Sequence, residues 1–265
     1  MRPGRLLLWL YAGLVLLFLV LPILVIVPLS FSSGKFLYFP LPGLSLRWYA
    51  RLVEHAPWRQ TLLNSLLVGA IATLLATTLG TLAAFGLARA RFRGRGLVMA
   101  LLLSPMIVPV IIVATGAYFF YQRLGLTNSL LGLAIAHAAL GAPFVLVTVS
   151  ATLSGLDPSL PRAAAGLGAP PWTTFRRVTL PIIAPGVVSG ALFAFVTSFD
   201  EVVVALFLTG PAQRTLPRQM FEGIREEISP EILAAATILV LLAVLLLVAA
   251  ELLRRRSARL RGIAP

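Results

Sequence analysis

The chain has 265 residues, 59% hydrophobic and only 12% charged, with a mean hydropathy of +0.96; this excludes an ordinary water-soluble domain, whose interior could not hide so much apolar surface. Basic residues outnumber acidic ones 22 to 9, for a formal charge of +13, and the absence of cysteine excludes disulfides and thiol chemistry. The apolar residues fall in about six runs long enough to cross a hydrocarbon core of about 30 Å, so the chain reads as an all-α integral membrane protein, one transmembrane domain over residues 1–265.

The first run, Leu6–Ser30, is longer than the apolar core of a signal peptide and no A-x-A site follows it, so it reads as a retained membrane helix. Phe31–Gln60 then forms a loop punctuated by Pro40, Pro42 and Gly43, and its apolar and basic end, Leu44–Trp58, is predicted as an interfacial helix. The second span is Thr61–Ala88. Arg89, Arg91, Arg93 and Arg95 follow it; such a cluster invites a nucleic-acid reading, but arginines flanking membrane helices face anionic lipid and set topology. The third span, Leu97–Tyr121, contains Pro105 and Pro109, which mark kinks or packing features of a rigid bundle. The fourth, Ser129–Thr152, holds His137, read as a hydrogen-bonded packing residue. The connection Leu153–Pro181 leads to the fifth span, Ile182–Leu208, a charged and proline-rich segment, Thr209–Glu231, and the sixth span, Ile232–Leu252.

Basic residues close to the membrane resist translocation. With the N-terminus inside, the inner segments hold 14 of the 22 basic residues, and five glutamates offset the eight outside. Both termini are therefore expected in the cytoplasm.

That orientation puts Leu153–Pro181 on the inner face. Leu156, Asp157 and Pro158 supply a cap and a first turn, and Leu160–Ala169 reads as a short helix stopped by Pro170 and Pro171. Ala163, Ala164, Ala165, Gly166 and Gly168 strip this helix of bulk, so another protein can approach its backbone closely; the bland alternative is an unpartnered loop resting on lipid. A second short helix, Trp172–Thr179, leads through Pro181 into the fifth span.

Asp200 and Glu201 interrupt the fifth span, with Val202–Leu208 continuing apolar beyond them. Ionisable groups in such a position are costly and face a polar cavity or a partner. They are expected either to line a path for a cationic solute or to pair with a basic group on a second subunit or cap a helix break. Adjacent helical residues point about 100° apart, so each acid can have its own role. Tyr118, Tyr121 and Phe199 are candidates for cation–π contacts to such a solute, the two tyrosines equally for anchors at the membrane interface.

Nucleotide hydrolysis is excluded, because a phosphate-cradling loop needs G-x-x-x-x-G-K-[ST] and the sole lysine, Lys35, stands in no such pattern. His55 and His137 are the only histidines, and neither H-E-x-x-H nor G-x-S-x-G occurs, so no catalytic or metal site is expected.

Arg162-Ala163-Ala164-Ala165-Gly166-Leu167-Gly168, then nine residues, then Val178-Thr179-Leu180-Pro181, resembles the EAA loop of permeases in binding-protein-dependent (type I) ABC importers. Leu46-Arg47-Trp48-Tyr49, Asn64-Ser65, Pro143-Phe144, Leu156-Asp157-Pro158, Ser198-Phe199-Asp200-Glu201, Thr215-Leu216-Pro217 and Ser229-Pro230-Glu231 are similar to the spermidine/putrescine branch. The resemblance implies a type I importer permease fold in a bacterial inner membrane, forming half of a polyamine pathway. Arg162, Ala163, Ala164, Gly168, Leu180 and Pro181 would then belong to a coupling element seated in an ATPase. It further implies an ATPase dimer holding ATP and Mg, a second permease chain and an extracytoplasmic binding protein; this chain itself holds no cofactor. Related branches carry iron, thiamine or phosphonates, and an ATP-independent secondary transporter is the competing class, though it has no use for a docking loop. Arg162 stands where the family carries a glutamate, which implies a more acidic surface on the ATPase.

Overall fold

The computed structural model describes residues 3–90, 92–226 and 229–260. Arg2, Arg91, Glu227 and Arg261, counted in the charge balance above, lie outside the described residues. The helices in chain order are α1 (Pro3–Ser30), α2 (Arg47–Glu54), α3 (Ala56–Arg89), α4 (Arg95–Leu103), α5 (Val110–Leu124), α6 (Leu130–Ser154), α7 (Ser159–Gly166), α8 (Pro171–Thr174), α9 (Leu180–Asp200), α10 (Val203–Leu208), α11 (Leu216–Glu226) and α12 (Pro230–Leu260). Five helical stretches are long and apolar enough to cross a membrane, or six when α4 and α5 are counted as one bent span.

Two compact units are distinguished: Met1–Arg59 with Gln219–Leu242, and Gln60–Arg218 with Ala243–Pro265. In the first, α1 is apolar and almost wholly exposed over Leu7–Val25, with Leu7 and Phe18 69% and 78% accessible, as befits a helix set in hydrocarbon. Its end is held by polar contacts. The Ser30 hydroxyl donates to Val27 O (2.6 Å) and lies 2.6 Å from the Tyr49 hydroxyl, while the Trp48 indole donates to Ser32 O (2.7 Å). The guanidinium groups of Arg47 and Arg51 lie 4.3 and 5.5 Å from the Trp48 ring centroid. Glu231, at the start of α12, accepts from Arg51 Nη1 (2.6 Å) and Trp58 Nε1 (3.3 Å). Glu231, in the stretch Ser229–Glu231, is thus tied to Arg51 and Trp58, which follow the stretch Leu46–Tyr49.

The second unit is built on α6. Its apolar window is 61% buried, against 28% or less for the other four single-helix candidates, which makes it the most enclosed of them. It pairs with α9 through small residues four apart: Gly186, Gly190, Ala194 and Ser198 are all buried. A Cβ on Gly190 would lie 2.7 Å from Val145 Cα, and one on Gly141 would lie 2.9 Å from Ala194 Cβ, so both positions require glycine for the two backbones to come this close.

Four sequence expectations are corrected. The interfacial helix over Leu44–Trp58 is divided: α2 ends at His55, which turns extended (ψ 114°), and Ala56 opens α3 five residues before the expected start of the second span. The third span is broken rather than kinked, α4 and α5 meeting at 100° across a 3₁₀ turn at Ser104–Met106 and an extended Pro109. Pro109 has no amide to donate toward residue 105, so the helical ladder cannot continue there. Trp172–Thr179 is not a separate helix; α8 runs through a π-helical turn at Phe175–Thr179 into α9, giving one helix from Pro171 to Asp200. The fifth span does not reach Leu208 unbroken, because the helix stops after Asp200 and restarts at Val203.

Candidate transport site and coupling loop

The break between α9 and α10 opens the backbone inside an apolar segment, where unpaired N–H and C=O groups are costly. Glu201, with extended ψ of 123°, closes the exposed N-terminus of α10. Its Oε1 accepts from the Val204 amide (3.0 Å) and its Oε2 from the Ala205 amide (3.2 Å). His137 on α6 is fully buried; its Nε2 lies 3.4 Å from Glu201 Oε2 and its Nδ1 lies 2.9 Å from Ser198 Oγ. The hydrogen-bonded packing role read for His137 is what the geometry shows.

The other end of α10 is closed by cations and amides. Arg218 Nη1 donates to Ala205 O (3.3 Å) and to the carbonyl and hydroxyl of Thr209, and the Asn128 amide donates to Leu208 O (2.7 Å). An acid at the N-terminus and an arginine at the C-terminus match the partial charges of the helix ends. The segment carrying Arg218 is itself tethered to α3: Asn64 Nδ2 donates to Ala212 O and Arg214 O (3.1 and 2.9 Å), and Ser65 Oγ accepts from the Leu216 amide (2.8 Å).

Glu201 therefore caps the helix break, one of the alternatives the sequence left open. Asp200, its neighbour, is exposed and makes no hydrogen bond or ion pair among the described residues. The three aromatic candidates separate. Tyr121 is buried with Ala114, Leu133 and the α10 residues Val204 and Leu208. Tyr118 is half-buried and lines an open cavity of about 420 Å³ with Thr115, Phe119, Leu206 and Phe207. Phe199 is buried and its ring stacks on Phe195 at 5.4 Å. Sequence reasoning passed over Arg218, Asn64 and Ser198 as functional residues; the signal was there, since each lies in or beside a motif whose partners were unknown.

The loop between α6 and α9 is built differently. The Ser159 amide donates to Asp157 Oδ1 (2.8 Å), starting α7. This bond, a second to the Ser159 hydroxyl and the charge of Arg162 hold the Asp157 carboxyl below the usual carboxylate range. The helix is shorter than Leu160–Ala169: it closes at Gly168, whose φ of +82° permits the Gly168 and Ala169 amides to return to Ala165 O and Ala164 O. Arg162, Ala163 and Gly168 are exposed and Ala164 is half-buried. Arg162 Nε donates to Pro158 O (3.1 Å), so the side chain folds along its own helix. Leu167 and Trp172 are 90% and 68% exposed, while Leu180 packs against the α6–α9 core and Pro181 is exposed.

Comparison with known proteins places this arrangement in context. Residues 76–261 match the model of the family described as the binding-protein-dependent transport system inner membrane component. The spermidine/putrescine transport system permease protein PotC of Escherichia coli (strain K12) is 34% identical, over 89% of this chain and 89% of that protein. The putrescine transport system permease protein PotI of the same strain is 36% identical, over 83% of this chain and 81% of that one. Among solved structures, a chain of a bacterial ABC transporter involved in the import of the acidic polysaccharide alginate superposes with a TM-score of 0.74 at 18% identity, covering 96% of this chain and 98% of that one. A chain of the inward-facing MetNI methionine ABC transporter gives 0.61 at 20% identity, over 79% and 97%. At these identities the structural likeness speaks for the fold.

Proposed function

The chain belongs to the family of binding-protein-dependent transport system inner membrane components, and from that premise we propose that it is the permease subunit of an ATP-driven polyamine importer. The observation that carries the polyamine reading is the likeness, over more than four fifths of the chain, to two permeases named for spermidine and putrescine. In this reading the loop Leu153–Pro181 lies in the cytoplasm with both termini, and α7 seats in one copy of a separate ATPase dimer that binds ATP and Mg. An extracytoplasmic binding protein delivers the solute on the other side, and a second permease chain completes the pathway.

Asp200 supports a cationic solute. A carboxylate without a partner beside a break in a membrane helix is stabilised by an ammonium group that arrives there, and the coulombic attraction grows as water is excluded. Nucleotide-driven closure moves α7, and α7 lies in the connection that joins α6 to α9, the helix that ends at Asp200. The reading is tested by a solute survey on the assembled complex with its binding protein. Spermidine or putrescine should stimulate ATP hydrolysis; stimulation by iron, thiamine or a phosphonate, with polyamines inert, overturns the substrate and leaves the importer. Failure of any ATPase to assemble with the chain overturns both.

A further inference from the structure

The two adjacent acids of the fifth span have different surroundings, and the difference assigns them different tasks. A carboxylate offers about four lone-pair positions. At Glu201 the Val204 and Ala205 amides take one each, and the edge of the His137 ring stands at 3.4 Å. The Glu201 side chain is 8% exposed and that of His137 is not exposed at all. His137 cannot swing away, because Nδ1 is tied to Ser198 Oγ on α9, one turn before the break. The Ser198 hydroxyl can donate to Nδ1, and the neutral ring then carries its proton on Nε2, the nitrogen that lies 3.4 Å from Glu201 Oε2. Among the described residues Nε2 makes no hydrogen bond, and its charged neighbour is Glu201 Oε2 at 3.4 Å. The same imidazole thus touches α9 just before the break and the cap of α10 just after it.

We propose that His137 and Glu201 are positioning residues: together they hold the break between α9 and α10, and by occupying the Glu201 carboxylate they leave Asp200 as the only acid of the pair presented to a cationic solute. The solute's identity rests on the polyamine reading; the division of labour between the acids does not. A helix break held by side chains three helices' worth of sequence apart stays at one residue, so the neighbouring carboxylate keeps one direction. Without the imidazole, Glu201 would keep only the Val204 and Ala205 amides, its Oε2 would lose the group that covers it, and the break would be free to shift along Ser198–Val202.

The experiment is carbodiimide labelling of the assembled, membrane-embedded transporter, read site by site by mass spectrometry with and without polyamine-loaded binding protein and ATP. In the unaltered protein Asp200 should be modified and Glu201 spared, and cycling with polyamine should protect Asp200. In His137→Leu, Glu201 should become reactive; His137→Gln, which keeps an N–H donor near the Nε2 position, should return Glu201 to its spared state. Glu201 labelled as readily as Asp200 in the unaltered protein overturns the proposal without need of any variant, as does a His137→Leu protein that assembles with its ATPase and still spares Glu201. Spared Glu201 with Asp200 modified but unprotected by polyamine upholds the positioning role and counts against the polyamine reading alone.

Discussion

The α6–α9 pair and the loop that joins them use their side chains in opposite ways. Along α6 and α9, small residues are turned inward, Gly190 and Gly141 admit the opposing backbone, His137 bonds Ser198, and its ring lies 3.4 Å from Glu201. Along α7, Arg162 and Ala163 are exposed, and just beyond it Leu167 and Trp172 are exposed among the described residues. The first region packs within the chain, and the second is left open, as the proposed seat of α7 in an ATPase requires. A substitution should therefore act on stability in the first and on assembly in the second, and that expectation can be broken.

The largest effect is expected at Gly190. Replacement by leucine puts a Cβ 2.7 Å from Val145 Cα with no room for the rest of the side chain, which should cost about 3 kcal/mol or prevent folding; thermal unfolding of the purified complex measures it. Next is the pair of acids. Glu201→Ala leaves the Val204 and Ala205 amides unpaired inside the span and should cost about 2 kcal/mol, whereas Asp200→Ala should leave the melting temperature unchanged and lose polyamine transport. Equal destabilisation by both would erase the distinction between them. Ala163→Trp, on an exposed face, should likewise change stability by no more than about 0.5 kcal/mol, while copurification of the ATPase is lost. Ala163 is a cleaner probe than Ala164 or Gly168, because Ala164 packs partly inward and Gly168 needs its positive φ.

These contrasts track what was legible in the residues. The membrane class followed from composition, since no soluble fold can absorb that apolar surface. Asp157 before a run of alanines marked the start of α7, because a cap acts over a few residues, whereas the helix ends at Gly166, before the double proline expected to stop it. Pro105 and Pro109 announced an irregular third span but not its 100° turn, which depends on what packs around it.

The break after Asp200 was invisible for a definite reason. Neither glycine nor proline stands there, and Val202–Leu208 continues the apolar pattern, so every local signal favours an unbroken helix. The interruption is held by a carboxylate that caps its own successor helix, by an imidazole from α6, and by an arginine anchored through the segment bound to Asn64 and Ser65. By itself the sequence determined the solvent the protein lives in, the number of spans to within one, and the loop that faces outward, because hydrophobicity, caps and breakers act locally. Only the tertiary structure decided where the fifth helix stops and which of two adjacent acids takes part in the capping, because hydrogen bonds between residues far apart in the chain outweigh the local preference for helix.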